Sequence, residues 1–281
     1  MTTVGLLLPQ WQGYAADDRP GRGARQIAVA LGERAQLHGI AVPGWHALTT
    51  EPSGAPGGGV LGLGEIVEQA VAALRWLDGA RPPRLLTIGG DCGSDFAPIA
   101  WQATQPGGAL GVLYLDAHGD LNTPASSPSG RFHGMILRAA LGEGAPALMA
   151  LHPRALAPDR IVMAGVRDLD PAERDFLAAS AIQRLPPAAI PDGRAVAAVR
   201  AHPATRWHVH FDLDVLDPDD FPDVTVPTPG GPSLDAVTRL LVELVTSCTV
   251  VGITVTEHVG GEASARRVCD ALDAVRRAGW R

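Results

Sequence analysis

The sequence predicts an α/β protein: a single-domain three-layer α/β/α sandwich over residues 1–281, with a mainly parallel central sheet. Three observations carry this expectation. Six short, apolar, often β-branched runs recur along the chain. Amphipathic segments of helical period separate several of them. The densest clusters of acidic residues directly follow runs of the first kind, where open α/β sheets bind ligands. With 281 residues, 46% of them hydrophobic, the chain is long enough to bury such a sheet on both faces.

In chain order, the first strand is expected at residues 4–8. The Gly- and Pro-rich stretch 52–59 reads as a surface loop. Leu63, Ile66, Val67, Ala70, Val71, Leu74 and Leu77 follow the i, i+3, i+4, i+7 rule of an amphipathic helix. Strands follow at 84–88, 110–115 and 160–164. Asp170-Pro171-Ala172-Glu173 has the form of a helix start, with proline in the first turn and acids at the positive dipole end. A second loop is expected at 186–193 and a strand at 207–212. Leu234, Val237, Leu241 and Leu244 mark a helix, 250–256 a last strand, and Val268, Ala271, Leu272 and Val275 a C-terminal helix. No internal repeat or composition shift marks a domain boundary.

Asp116-Ala117-His118-Gly119-Asp120 follows the strand at 110–115, and Asp212-Leu213-Asp214 follows the one that includes Trp207, His208 and Val209. One aspartate after a strand is an ordinary turn or cap residue. Asp-x-His-x-Asp together with Asp-x-Asp, both at strand ends, is not explained that way. Four carboxylates gathered in a poorly solvated place repel one another unless a counter-charge joins them. A divalent cation supplies it, and carboxylates with imidazole suit Mn²⁺ or a similar first-row ion.

The surroundings of these clusters resemble the ureohydrolase family, and its arginase branch in particular. The resemblance rests on Asp116 to Asp120 followed by Leu121-Asn122-Thr123-Pro124, on Ser129-Gly130-Arg131-Phe132-His133-Gly134-Met135, on Gly89-Gly90-Asp91, and on Phe211-Asp212-Leu213-Asp214-Val215-Leu216-Asp217-Pro218. It runs from Val4 to the C-terminal helix. It implies a binuclear Mn²⁺ site. Metal B would take Asp116, His118, Asp212 and Asp214. Metal A would take Asp116, Asp120, Asp212 and the residue after Gly-Gly-Asp, which here is Cys92 where the family has histidine. A thiolate is soft and Mn²⁺ is hard, so Cys92 should weaken Mn²⁺ at metal A or favour a softer ion; a thiol pointing away would leave carboxylates and water. Either way, unequal occupancy is expected.

The resemblance also implies roles for other residues. Asp120 would accept a hydrogen bond from a metal-activated hydroxide, Glu257 would bind the guanidinium by charged hydrogen bonds, and His133 would shuttle protons. Asn122 and Ser129 would hold an α-carboxylate, while Asp170 and Glu173 would lie near an α-amino group. Arg131 replaces the family's asparagine, and either reads a carboxylate or obstructs arginine. Val226 stands where arginases commonly carry threonine. By strand alternation His210 shares a face with Asp212, as a hydrogen-bond partner behind the ligands or as a displaced ligand.

The formal net charge of −7 makes nucleic acid or an anionic membrane an unexpected partner. All 23 Lys+Arg residues are arginines, which fits the codon bias of a GC-rich genome. Three cysteines without a C-x-x-C pair give no disulfide framework. The N-terminus lacks a basic region, and no stretch is long enough to span a bilayer, so a cytoplasmic enzyme is expected. The resemblance implies a homotrimer or homohexamer. The leading expectation is a metal-dependent amidinohydrolase that releases urea from a small guanidino-bearing substrate. The alternatives are hydrolysis of another guanidino or formimino acid, or a non-catalytic descendant with an impaired metal A site.

Overall fold

Residues 3–32, 37–39, 50–52 and 59–280 are described by the computed structural model. The chain opens with β1 (Thr3–Leu8), α1 (Arg19–Leu31), β2 (Leu37–Gly39), β3 (Thr50–Pro52), β4 (Gly59–Leu61) and α2 (Leu63–Ala80). The middle contains β5 (Arg84–Gly89), α3 (Phe96–Thr104), β6 (Leu110–Leu115), α4 (Ile136–Ala140), α5 (Pro146–Met149), β7 (Ile161–Ala164), α6 (Pro171–Ala179), β8 (Gln183–Leu185) and α7 (Arg194–Ala201). It closes with β9 (Arg206–Asp212), α8 (Leu234–Ser247), β10 (Val250–Thr256) and α9 (Glu262–Arg277). Among the described residues no helix is long and apolar enough to cross a membrane.

Eight strands form one sheet in the order β2-β1-β5-β10-β9-β6-β7-β8, and every pairing in it is parallel. Each strand sends alternate residues to opposite faces, and this divides the core in two. Leu86, Leu113, Val209, Phe211, Ile253 and Val255 pack with α1, α7, α8 and α9 on one face. Leu85, Val112, Tyr114 and Met163 pack with α2, α3 and α4 on the other. The three expected layers are therefore present. The chain passes from β5 to β6 across a gap that β10 and β9 later fill, so β5, β10, β9 and β6 form the sheet centre. Their carboxyl ends lie at this reversal of winding, the ligand position of open α/β sheets.

The six strands expected from sequence are present within one residue at each end. The strands not foreseen, β2, β3, β4 and β8, are three residues each and too short for a periodic pattern. Helix α3 shows no amphipathic stripe because residues 96–103 are all buried. Of the loop expected at 52–59, residues 53–58 lie outside the described residues, while Pro52 and Gly59 pair in an antiparallel ribbon. The loop expected at 186–193 contains one turn of 3₁₀ helix, Pro187–Ala189.

Gly90 marks a close approach. Its N–H donates to the Leu8 carbonyl and its carbonyl accepts from the Glu257 N–H at 2.7 Å. A Cβ there would lie 1.8 Å from the Gln10 carbonyl oxygen, so only glycine fits between β1, β5 and β10. Gly90→Ala should therefore cost about 1–3 kcal/mol, the usual range for forced overpacking. Chemical denaturation of the purified variant measures this, and an unchanged midpoint would show that the three segments separate freely.

Candidate metal centre

The sheet's carboxyl edge gathers the candidate ligands. Asp116 follows β6, and its Oδ1 accepts the His118 N–H at 2.6 Å. Its Oδ2 is buried without a hydrogen-bond partner among the described residues. Asp212 ends β9; its Oδ1 accepts the Asp214 N–H at 2.7 Å, and its Oδ2 lies 2.6 Å from the donating Cys92 thiol. Asp214 Oδ1 accepts the Ala117 N–H at 3.2 Å, which joins the two acidic turns, and its Oδ2 lies 3.0 Å from His118 Nδ1. One ligand atom each from Asp116, His118 and Asp214 lie within 4.8 Å of one another. So do one atom each from Cys92, Asp116, Asp120 and His210, and one each from Cys92, Asp212 and Glu257. Three of the four residues assigned to metal B, Asp116, His118 and Asp214, thus meet, while Asp212 groups with Cys92 and Glu257.

These groups are desolvated together. Burial first, then the charges of Asp120 and Asp214, pushes the Asp116 carboxyl well above the usual range. Burial, with Asp214, Asp116 and Glu257, does the same to Asp212. Burial also raises Asp120, raises Asp91 to about 6 with the help of the Glu257 charge, and raises the Cys92 thiol, which the surrounding carboxylates push further. Burial would lift Asp214 too, but the His118 charge and hydrogen bond outweigh it and hold the carboxyl low. His118 in turn is raised strongly: burial opposes its charge, but Asp214 and Asp116 win. The orphaned Oδ2 of Asp116 and the mutual repulsion are those of acceptors lacking a cation, and the donor set of carboxylates and imidazole fits a first-row divalent ion.

Backbone geometry holds the cluster open. Asp120 has φ 51° and Glu257 φ 66°, both in the left-handed region that non-glycine residues rarely occupy. Tyr114 Oη donates to Asp120 Oδ2 at 2.6 Å. Arg167 binds five backbone carbonyls, those of Gly165, Asp214, Leu216, Thr228 and Pro229, and so ties the β7 and β9 ends to the 226–231 segment.

A cavity of about 190 Å³ opens over the cluster, walled by Cys92, His118, Asp120, His133, Asp212 and Asp214 and rimmed by Asn122, Ser129, Asp170, Glu173 and Val226. A larger surface groove, about 710 Å³ between α1 and α9, has none of these candidate ligands in its walls. Glu257 is 1% exposed and lies one layer behind the wall. Its Oε1 accepts the Cys92 N–H at 2.9 Å and lies 3.3 Å from His133 Nδ1, and its Oε2 accepts from the Thr225 hydroxyl. Burial alone would lower the His133 pKa, but the hydrogen bond and charge of Glu257 raise it overall.

The rim residues are partly engaged with one another. Asn122 Nδ2 donates to Asp170 Oδ2 at 2.8 Å. Glu173 closes a capping box with Asp170 and also accepts the Leu121 N–H at 2.8 Å, so its carboxylate serves the backbone. Burial raises it to about 7. Arg131 was expected at the cavity rim; its guanidinium instead lies over the Tyr14 ring, 5.4 Å from the centroid. Thr225, Thr228 and Tyr114 were not foreseen. Thr228 Oγ1 lies 3.3 Å from His118 Nε2, and a hydroxyl in a loop carries no pattern from which that contact could be read.

The arginase-family model matches residues 60–259. Arginase of Staphylococcus aureus (strain COL) is 37% identical over 129 residues, 43% of this chain and 43% of that protein, so the match spans less than half of that relative's length. Entamoeba histolytica arginase, solved in complex with L-ornithine, aligns with a TM-score of 0.87 at 21% identity over 98% of both chains. Bacillus subtilis formimidoylglutamase aligns with a TM-score of 0.72 at 15% identity over 98% of this chain and 86% of that one. At these identities the two structural likenesses show the fold alone.

The electrostatics make a prediction for protein stripped of metal. Asp91, Asp116, Asp120, Asp212, Glu173 and His118 all have folded pKa values raised above the unfolded ones. Stability from such groups is complete below the unfolded pKa and is lost as pH rises through the folded one. The depressed Asp95 and Asp214 act in the opposite sense, but their contribution is lost only in stronger acid. The melting temperature should therefore fall between about pH 5 and about pH 8, and added Mn²⁺ should restore it at the higher pH. A melting temperature that is level over this range and indifferent to Mn²⁺ contradicts the cation site.

Proposed function

The chain belongs to the arginase family, and from that premise we propose that it is a metal-dependent amidinohydrolase cleaving a guanidino C–N bond to release urea and an amine. One observation carries the reading: Asp116, His118, Asp120, Asp212 and Asp214 converge beside one cavity that His133 also lines. Asp116, His118 and Asp214, with Asp212, would hold one Mn²⁺; Asp116 and Asp120, with Asp212, would hold part of the other. When bound, the cations supply the acidity that turns water into a nucleophile at neutral pH.

The chain's own groups supply the remainder. Asp120, whose Oδ2 is taken by Tyr114, has Oδ1 left to accept a hydrogen bond from the attacking water. Glu257 keeps a proton on His133, which can pass it to the departing amine nitrogen, a poor leaving group unless protonated. The same carboxylate would hold the guanidinium N–H groups once its Oε2 gives up the Thr225 hydroxyl. Asn122, Ser129 and Asp170 provide donors and an acceptor for an α-amino acid head group, and arginine is the first substrate to test. Because Asn122 and Asp170 are bonded to each other, they must separate to take it. That requirement, with Val226 at the cavity rim, favours a second reading in which the substrate is another guanidino or formimino acid.

Asp214→Ala should abolish urea release while leaving the fold intact by circular dichroism. Full activity with full metal content would remove Asp214 from the ligand set. Glu257→Gln should lower kcat/KM roughly thirty-fold or more, given ~2–5 kcal/mol for truncating a desolvated charged pair. It should also move the alkaline limb of kcat to lower pH, because Glu257 raises the His133 pKa. A near-normal rate and an unmoved limb would reduce Glu257 to a backbone support. Arginine should outperform agmatine, whose missing carboxylate leaves rim donors unpaired; equal rates would sink the head-group assignment.

A further inference from the structure

His210 lies in β9 opposite Tyr114 of β6 and Thr254 of β10, on the sheet face that also carries His208 and Asp212. Its ring stacks on Tyr114 with centroids 4.2 Å apart and planes within 5°. Its Nδ1 lies 2.8 Å from Asp95 Oδ2, and its Nε2 is buried with no hydrogen-bond partner among the described residues. Asp95 can only accept there, so the proton sits on Nδ1 and Nε2 presents a lone pair. One nitrogen of His210, one oxygen each of Asp116 and Asp120, and the Cys92 sulfur all lie within 4.8 Å of one another. Asp95 occupies Nδ1, so the nitrogen available to a cation is Nε2. Asp116, of the same group, also has an oxygen, Oδ2, buried with no hydrogen-bond partner among the described residues.

We propose that His210 Nε2, with Asp116 and Asp120, binds the second cation, and that Cys92 stays a thiol donating to Asp212. This rests on the two-cation reading above. It removes the expectation that Cys92 leaves the second position without a nitrogen ligand: the imidazole comes from mid-strand β9 instead of the turn after β5. Three features point the same way. A metal-bound histidine usually donates its other N–H to a carboxylate, as His210 does to Asp95. The ring cannot turn to satisfy Nε2 elsewhere, because Tyr114 and Asp95 fix it. A hard ion prefers imidazole and carboxylate to a neutral thiol, and the Cys92 sulfur is already engaged 2.6 Å from Asp212.

The test uses the full chain stripped with chelator and titrated with Mn²⁺ by calorimetry. Wild type should bind two equivalents. His210→Phe keeps a ring against Tyr114 but removes the nitrogen, and should weaken one equivalent by about 100-fold or more, since losing even a ligand's supporting partner costs ~10–100-fold. Cys92→Ser should retain both. Two equivalents kept by His210→Phe, or one lost by Cys92→Ser alone, would overturn the assignment and leave the two-cation reading standing. A wild type that binds no cation would overturn both. Should His210→Phe fail to fold, the Co²⁺-loaded wild type decides. Two hyperfine-shifted imidazole N–H resonances without a thiolate charge-transfer band support His210, and a single such resonance or a strong thiolate band overturns it.

Discussion

Asp116, Asp120, Asp212 and Asp214 are at most 6% exposed and crowd one end of the sheet, and their mutual repulsion is the constraint to which the surrounding structure answers. Water cannot screen charges buried so deeply. Each acid therefore carries backbone or side-chain donors: the His118, Asp214 and Ala117 N–H groups, the Tyr114 hydroxyl and the Cys92 thiol. These donors are too few, and among the described residues Asp116 Oδ2 is left without one. What remains is a preformed set of acceptors whose chemistry suits a divalent cation.

Parallel topology makes such a gathering possible. Four central strands end together, and each delivers its turn to the same edge: Gly89 to Cys92 from β5, Asp116 to Asp120 from β6, Asp212 to Asp214 from β9, and Glu257 from β10. The turns are held by contacts outside the cluster. Arg167 gathers carbonyls from the β7 and β9 ends, Glu173 takes the Leu121 N–H, and Gly90 lets β1, β5 and β10 approach closely. Asp120 and Glu257 occupy left-handed backbone at the points where the chain must reverse to aim a carboxylate. Strain of this kind is tolerated where packing over-determines it.

Much of this was legible in the residues. Acid clusters at the ends of apolar runs give both the sheet and the location of the site, because strand alternation and the open-sheet rule are local and robust. Less legible was which nitrogen faces the second position. Alternation puts His210 on the face of Asp212, yet only the packed neighbours, Asp95 and Tyr114, determine which ring nitrogen is free. Asp95 lies 115 positions away from His210, so no sequence period links them. Glu173 shows the converse. Its helix-cap form was plain, and the structure commits its oxygens to the backbone, whereas a substrate contact depends on a ligand's pose. Arg131 turned toward Tyr14 for a similar reason: a long flexible side chain settles by cation–π and solvation contacts that its position alone does not fix.

Anomalous scattering from manganese, in crystals grown with Mn²⁺, tests the central claim most directly. The account predicts two peaks in the cavity floor with Asp116 between them, one beside His118 and Asp214 and the other within bonding distance of Asp120 and His210 Nε2. A map without anomalous density there, with the carboxylates paired to one another through shared protons or to water alone, would contradict it.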